Sequence, residues 1–250
     1  MPDAVLTEVR GSVLIITLNR PGAKNAIDTD MSRGLLDAVQ RLDTEPGLAA
    51  GVVTGAGRAF CSGLDLKAFT ASGPPKGLAR FLKNGSQKPL IAAIEGSALA
   101  GGLEIALTCD LLIAAGDARF GIPEARVGLF AAGGALFRLP QRVPYGVALE
   151  MALTGTPIGA EEARGYGLVN RLTETGGALD EAVDTASRIA ANAPLSLRAS
   201  KQLMRQALAL TEPEFWDVQL TYVNEVFRSE DAREGAAAFA QKRRPEWSGT

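Results

Sequence analysis

Four short runs of apolar and β-branched residues set the strongest limit on what this chain can fold into: Val13 to Leu18 (VLIITL), Leu48 to Thr54 (LAAGVVT), Leu90 to Ile94 (LIAAI) and Leu111 to Ala115 (LLIAA). Each is short and apolar and reads as a strand, and helical patterns alternate with them along the chain. In the first interval Asp28 stands as a helix N-cap, and Met31, Leu35, Val39 and Leu42 follow at helical spacing. In the last, Gly101-Gly102 can open a helix running to about Thr108. The expected fold class is therefore α/β with parallel strands. Residues 71–87, with SGPPKG inside them, read as a loop, and from about Ala178 onward the pattern is helical only, with helices expected over 179–191, 195–210, 213–228 and 232–242. The residues 1–190 are expected to form the core with the functional site, and 191–250 a helical region packed against a neighbour or the main body.

Composition narrows the chemistry further. The 250 residues are 46% hydrophobic, enough for a sizeable core, and 26 Lys plus Arg nearly balance 28 Asp plus Glu. Such a balance supplies no global field toward nucleic acid or an anionic membrane. The N-terminus MPDAVLTEVRG lacks a basic segment followed by an apolar one, and no apolar run reaches about 18 residues, so a cytoplasmic location is expected. Cys61 and Cys109 are too few for a disulfide framework and are expected to be reduced, semi-buried thiols. There is no histidine at all. That absence removes Ser-His-Asp and Cys-His catalysis and histidine-ligated metals, and leaves proton transfer to carboxylates, Lys, Tyr or thiols. No metal or separate cofactor is expected.

Gly55-Ala56-Gly57 begins like a dinucleotide-binding turn, but Phe60 stands where its third glycine belongs. Three other stretches stand out: Arg58 to Lys67 (RAFCSGLDLK), Ala98 to Glu104 (ALAGGLE) and Phe120 to Glu124 (FGIPE). Glycines at a helix start expose backbone N–H groups without partners, and two such starts facing each other would hold an oxyanion. Each stretch alone also reads as a tight turn, and each glutamate as a paired structural carboxylate. Glu104 is the odd residue, a carboxylate inside SALAGGLEIALTCD, where burial is costly unless the group is neutralised, bonded or used.

Taken together, FCSGLDL, ALAGGLEIALTCDL and FGIPEARVGL resemble, in order and spacing, the crotonase superfamily of enoyl-CoA hydratases and isomerases, and the similarity runs from NRPGAKNAID to EGAAAFAQKRRPEW. The resemblance implies a spiral of ββα units with an all-helical C-terminal trimerisation region, assembled as a homotrimer or a dimer of trimers. It implies an acyl-CoA thioester as substrate, the CoA being part of that substrate rather than a cofactor. Position by position, it assigns the backbone N–H groups of Leu64 and Gly101 to an oxyanion hole. Ser62, Leu64, Asp65 and Leu66 would line the CoA side, with Lys24 and Lys67 toward CoA phosphates and Lys242 reaching one across a subunit boundary. Glu104 and Glu124 fall on the two positions whose glutamates hold water in hydratases, Glu104 as base and Glu124 as acid.

Related isomerases usually place an apolar residue where Glu104 stands, so the pair favours hydration of a 2-enoyl-CoA to a 3-hydroxyacyl-CoA. Carnitinyl-CoA dehydratase-like members carry both carboxylates too, and isomerisation, thioester hydrolysis or a non-catalytic acyl-CoA-binding scaffold are the alternatives. Three departures from the commonest hydratase pattern stand in this chain: Glu95 for a frequent asparagine, Ala100 for a frequent glycine, and Phe130-Ala131-Ala132 for a proline-containing loop. The first two are expected beside the hole. Phe130, if it projects inward, would shorten or reshape the acyl pocket.

Overall fold

The apolar runs become neighbouring strands of one six-stranded sheet in the computed structural model, which describes residues 3–250. The strands are β1 (Val5–Arg10), β2 (Val13–Leu18), β3 (Ala50–Gly55), β4 (Leu90–Ile94), β6 (Leu111–Ala115) and β9 (Arg171–Thr173), in the order β1-β2-β3-β4-β6-β9. All neighbours pair in parallel except β1, which runs antiparallel to β2 and forms an exposed edge. A second sheet joins β5 (Ser97–Leu99), β7 (Arg119–Gly121) and β8 (Ile158–Gly159).

Two apolar layers explain why the central strands lack alternation. Leu14, Ile16 and Leu18 of β2 face the larger core with Met31, Leu35, Val39 and Leu42 of helix α1 (Thr29–Thr44), while Val13, Val52, Ile91 and Ile113 face the other side. There they meet Ala178, Ala182 and Ala186, four residues apart along one helix. Helix α1 begins where its cap predicts, Asp28 accepting the Met31 N–H at 2.9 Å.

The remaining helices are α2 (Leu66–Ser72), α3 (Leu78–Asn84), α4 (Gly101–Thr108), α5 (Ala135–Arg138), α6 (Tyr145–Thr154), α7 (Ala160–Gly165), α8 (Ala178–Ala190), α9 (Pro194–Ala207), α10 (Glu212–Val226) and α11 (Glu230–Gln241). Residues 71–87 thus depart from the expected loop: α3 buries Leu78, Phe81 and Leu82, the i, i+3, i+4 face that the preceding Pro and Gly residues obscured. Of the C-terminal helices, α8 packs on the sheet of the body. Helix α9 is tied to it by Lys201, nearly buried, which bonds the Asp110 carboxylate at 2.7 Å and the Lys88 carbonyl at 2.8 Å. No described helix is long and apolar enough to cross a membrane.

Glu95 is not at the expected place beside the hole. Its two oxygens accept the N–H groups of Gly176 and Ala178, each at 3.0 Å, so it caps the start of α8.

Candidate active site

Three segments leave the carboxyl ends of β3, β4 and β6, the end at which parallel sheets build ligand sites. Short backbone pairings hold them side by side: Ile27 with Leu64, Cys61 with Ala98, and β5 with β7. The contact is close enough to need glycine. A β-carbon at Gly102 would collide with the Cys61 carbonyl, and one at Gly63 would lie 2.6 Å from the Ala100 side chain.

This pairing aims two amides at one spot. Ile27 donates to the Gly63 carbonyl at 2.8 Å and accepts from the Asp65 N–H at 3.0 Å, so alternation along the chain turns the Leu64 N–H to the opposite side. Gly101 is the first residue of α4, whose N–H has no partner within the helix. Neither N–H makes a hydrogen bond among the described residues, and a β-carbon on Gly101 would stand 3.7 Å from the Leu64 nitrogen. Ala100, before it, takes φ 50° and ψ −127°, a left-handed conformation that a β-carbon disfavours.

Both amides border a cavity of about 830 Å³, whose walls include Glu104 and Glu124. All eight residues of α4 are buried, and Glu104 is 6% exposed. Its Oε1 accepts the N–H of Gly133 at 2.5 Å and of Ala135 at 3.4 Å. Burial pushes its carboxyl above the ordinary range; the two amides and the Arg138 cation pull it down, and the Glu124 charge pushes it up. Glu124 sits in a 3-10 turn, Pro123–Val127, where proline fixes the first residue. Burial raises its carboxyl too, against one backbone hydrogen bond, and its Oε2 is buried with no hydrogen-bond partner. A buried, unpartnered carboxylate oxygen is costly, whereas a neutral carboxyl or one holding a small polar ligand is not. Two carboxyls with raised affinity for protons and two converging amide donors can carry proton transfer beside a developing oxyanion.

The other residues named from sequence divide. Ser62, Leu64, Leu66 and Phe130 border the cavity, Phe130 at its rim and 70% exposed. Asp65 does not. It caps α2 through the N–H groups of Lys67 and Ala68 and pairs with Arg20 at 3.0 Å, contacts that hold its carboxyl below its ordinary value. Lys24 contributes its carbonyl to the Ser62 N–H at 3.0 Å while its side chain, like that of Lys67, stays outside the cavity wall. Lys242 closes α11 in a left-handed conformation and is likewise outside the cavity of its own chain.

Some contributors carried no signal of their own in the sequence. Asn25, fully buried, donates to the carbonyls of Ala56 and Ala59 at 2.9 and 2.7 Å and so shapes the turn before Ser62. Leu78 and Leu82 of α3, Gly133, Phe137 and Arg138 complete the apolar end. Cys61 lies beneath the Leu64 segment, accepting the Gly63 N–H at 3.4 Å, and burial pushes its thiol up to about 12. Among the described residues no three His, Cys, Asp or Glu side chains cluster as a metal site.

Comparison with known proteins shows what the whole chain is similar to. A family model described as enoyl-CoA hydratase/isomerase matches residues 8–250. The chain is 41% identical to the enoyl-CoA hydratase EchA19 of Mycobacterium tuberculosis, over 98% of this chain and 96% of that protein. It is 39% identical to a carnitinyl-CoA dehydratase of Proteus mirabilis over the full length of both. A crystal structure of an enoyl-CoA hydratase from Mycobacterium tuberculosis superposes with a TM-score of 0.95 at 48% identity, covering 99% of this chain and 100% of that one.

Proposed function

Because this chain belongs to the enoyl-CoA hydratase/isomerase family, we propose that it is a hydro-lyase that adds water across the 2,3 double bond of a 2-enoyl-CoA thioester, giving a 3-hydroxyacyl-CoA. The observation that carries this reading is the unequal treatment of two carboxyls in one cavity. Glu104 is held by two amides, which suits an ionised base, whereas Glu124 keeps a buried oxygen without a partner, which suits a neutral acid.

In the proposed step, the thioester carbonyl lies against the N–H groups of Leu64 and Gly101, which favour negative charge on its oxygen. Glu104 takes a proton from water as the water oxygen bonds to C3. Electrons shift onto the thioester oxygen, and Glu124 gives its proton to C2 as the carbonyl reforms. The cycle ends with Glu104 protonated and Glu124 ionised, and one proton exchange restores both. Dehydration is the same path reversed, so the reading covers both activities named among the relatives. Ser62 and Leu66 flank the CoA end and Phe130 the acyl end. An apolar surface on the C-terminal helices, with Met204, Leu208, Trp216, Leu220 and Phe227 each more than half exposed, supports assembly as a trimer or pair of trimers.

The test is absorbance at the enoyl-thioester band with a panel of 2-enoyl-CoAs, from crotonyl to long, branched and polycyclic acyl groups. Loss of the conjugated bond with any member supports hydration and sizes the pocket. CoA binding without loss of the band across the panel would move the assignment to isomerisation, hydrolysis or scaffolding.

A further inference from the structure

Glu104 owes its position to a loop, and that loop owes its position to an arginine. Gly133 and Ala135 supply the amides that hold the carboxylate, and both lie where α5 begins. At the far end of α5, Arg138 turns back and donates to the Gly133 carbonyl at 3.4 Å and to the Leu82 carbonyl of α3. One residue, Gly133, is therefore held through both of its peptide groups, its N–H by Glu104 and its carbonyl by Arg138. The guanidinium is half-buried, borders the same cavity and hydrogen-bonds carbonyls rather than a carboxylate.

We propose that Arg138 is a positioning residue for the reaction: it bridges the Leu82 and Gly133 carbonyls so that the Gly133 amide meets Glu104, and it sets a cation on the same cavity wall as that carboxylate. The inference rests on Glu104 acting as the base. A half-buried cation whose bonds go to neutral carbonyls keeps its field available to a neighbouring carboxylate. The charged groups around the pair are few. Glu104 faces Glu124 from the 3-10 turn and Arg138 from α5; Arg138 in turn faces Arg142, Arg205 of α9 and the neutral thiol of Cys109. Arg142 spends its donors on the Leu107 and Cys109 carbonyls, and Arg205 bonds the Asn84 carbonyl. Neither occupies the place of Arg138 against Glu104.

The test separates charge from scaffolding with Arg138→Gln and Arg138→Lys. Both can donate to a carbonyl, and only the second keeps the cation. Neither has the two separate nitrogens with which the guanidinium meets the two carbonyls, so kcat in both falls about 10²-fold, the scale of a misplaced catalytic group. The titration of the Glu104 carboxyl is followed by NMR with isotope-labelled glutamate, its signal identified by its loss in Glu104→Gln. The expected result is a midpoint moved to higher pH in Arg138→Gln and left near wild type in Arg138→Lys. Midpoints that stay together in all three proteins, or move together in both variants, would overturn the inference. A failure of the hydration reading shows differently, as full turnover in Glu104→Gln, while the titration experiment needs no turnover at all.

Discussion

Gly133 donates its N–H to Oε1 of Glu104 at 2.5 Å although 29 positions separate the two residues. A β-carbon at Gly133 would run into the Glu104 carboxylate and the Leu82 side chain, so glycine is what lets the amide come this close. Gly133→Ala is expected to displace the carboxylate and lower kcat about 10²-fold while CoA affinity holds. Steady-state turnover with a 2-enoyl-CoA, alongside calorimetric binding of CoA, measures the two effects separately.

The pair of carboxyls gives a sharper expectation. Glu104→Gln and Glu124→Gln each remove one proton carrier without changing shape, and general acid–base catalysis contributes about 10²–10⁴-fold. Either single variant should lose most of that range in hydration, and the double variant should lose little more than the worse single one, because the two act in one step. Losses that add in the double variant would mean the carboxyls work independently.

Stability should follow pH in a defined direction. Burial raises both carboxyls above the ordinary Glu value near 4.3. A carboxyl whose folded pKa exceeds its unfolded one favours the fold while protonated, and that contribution is lost as pH rises through the folded value. Glu124→Gln, which never ionises, is therefore expected to melt above wild type near neutral pH, by a few degrees if about 1 kcal/mol is recovered, and to match it below about pH 4. Melting scans at fixed protein concentration across that window decide it.

The body of the fold was readable because its signals are local. Val13 to Leu18 and Leu90 to Ile94 announce buried strands by their side chains, and Asp28 announces α1 by its own carboxylate. What escaped depends on distant partners. Residues Ser97–Leu99 and Ile158–Gly159 are strands only because β7 lies between them, and α3 hides behind SGPPKG. The site divides in the same way. Glu104, Glu124 and the glycines stand out as residue types in unusual company, whereas Gly133 and Arg138 look like ordinary loop and helix residues until the chain has folded. Asp65 and Glu95 show the converse: conspicuous carboxylates near the motifs that serve as helix caps.

Ala100 keeps a β-carbon at φ 50°, a conformation that glycine adopts at no steric cost. Ala100→Gly is expected to raise the unfolding free energy by about 1 kcal/mol, since relief of left-handed strain outweighs the added freedom of the unfolded chain. A denaturant midpoint at or below that of wild type would show that the conformation is unstrained.

Lys201, 8% exposed at its side chain, meets an Asp110 carboxylate that is 28% exposed and also accepts the Leu90 N–H. Lys201→Met leaves that carboxylate without its cation, at a cost of about 3 kcal/mol, the low end for a buried pair because Asp110 retains some water. Hydrogen exchange should rise first along α9, the helix the lysine anchors; exchange unchanged there would place the anchor elsewhere.

Cys61 turns the floor of the proposed oxyanion hole into a built-in clock. A thiol titrating at about 12 carries almost no thiolate at neutral pH, and complete burial bars reagents from it, so an alkylating agent can reach Cys61 only when the Ser62–Leu64 strip lifts away from α4. Cys109 is equally buried, at the far end of that helix. The ratio of the two labelling rates therefore reports whether the hole loosens by itself or only when the whole α4 layer comes apart, in a protein that needs no added probe.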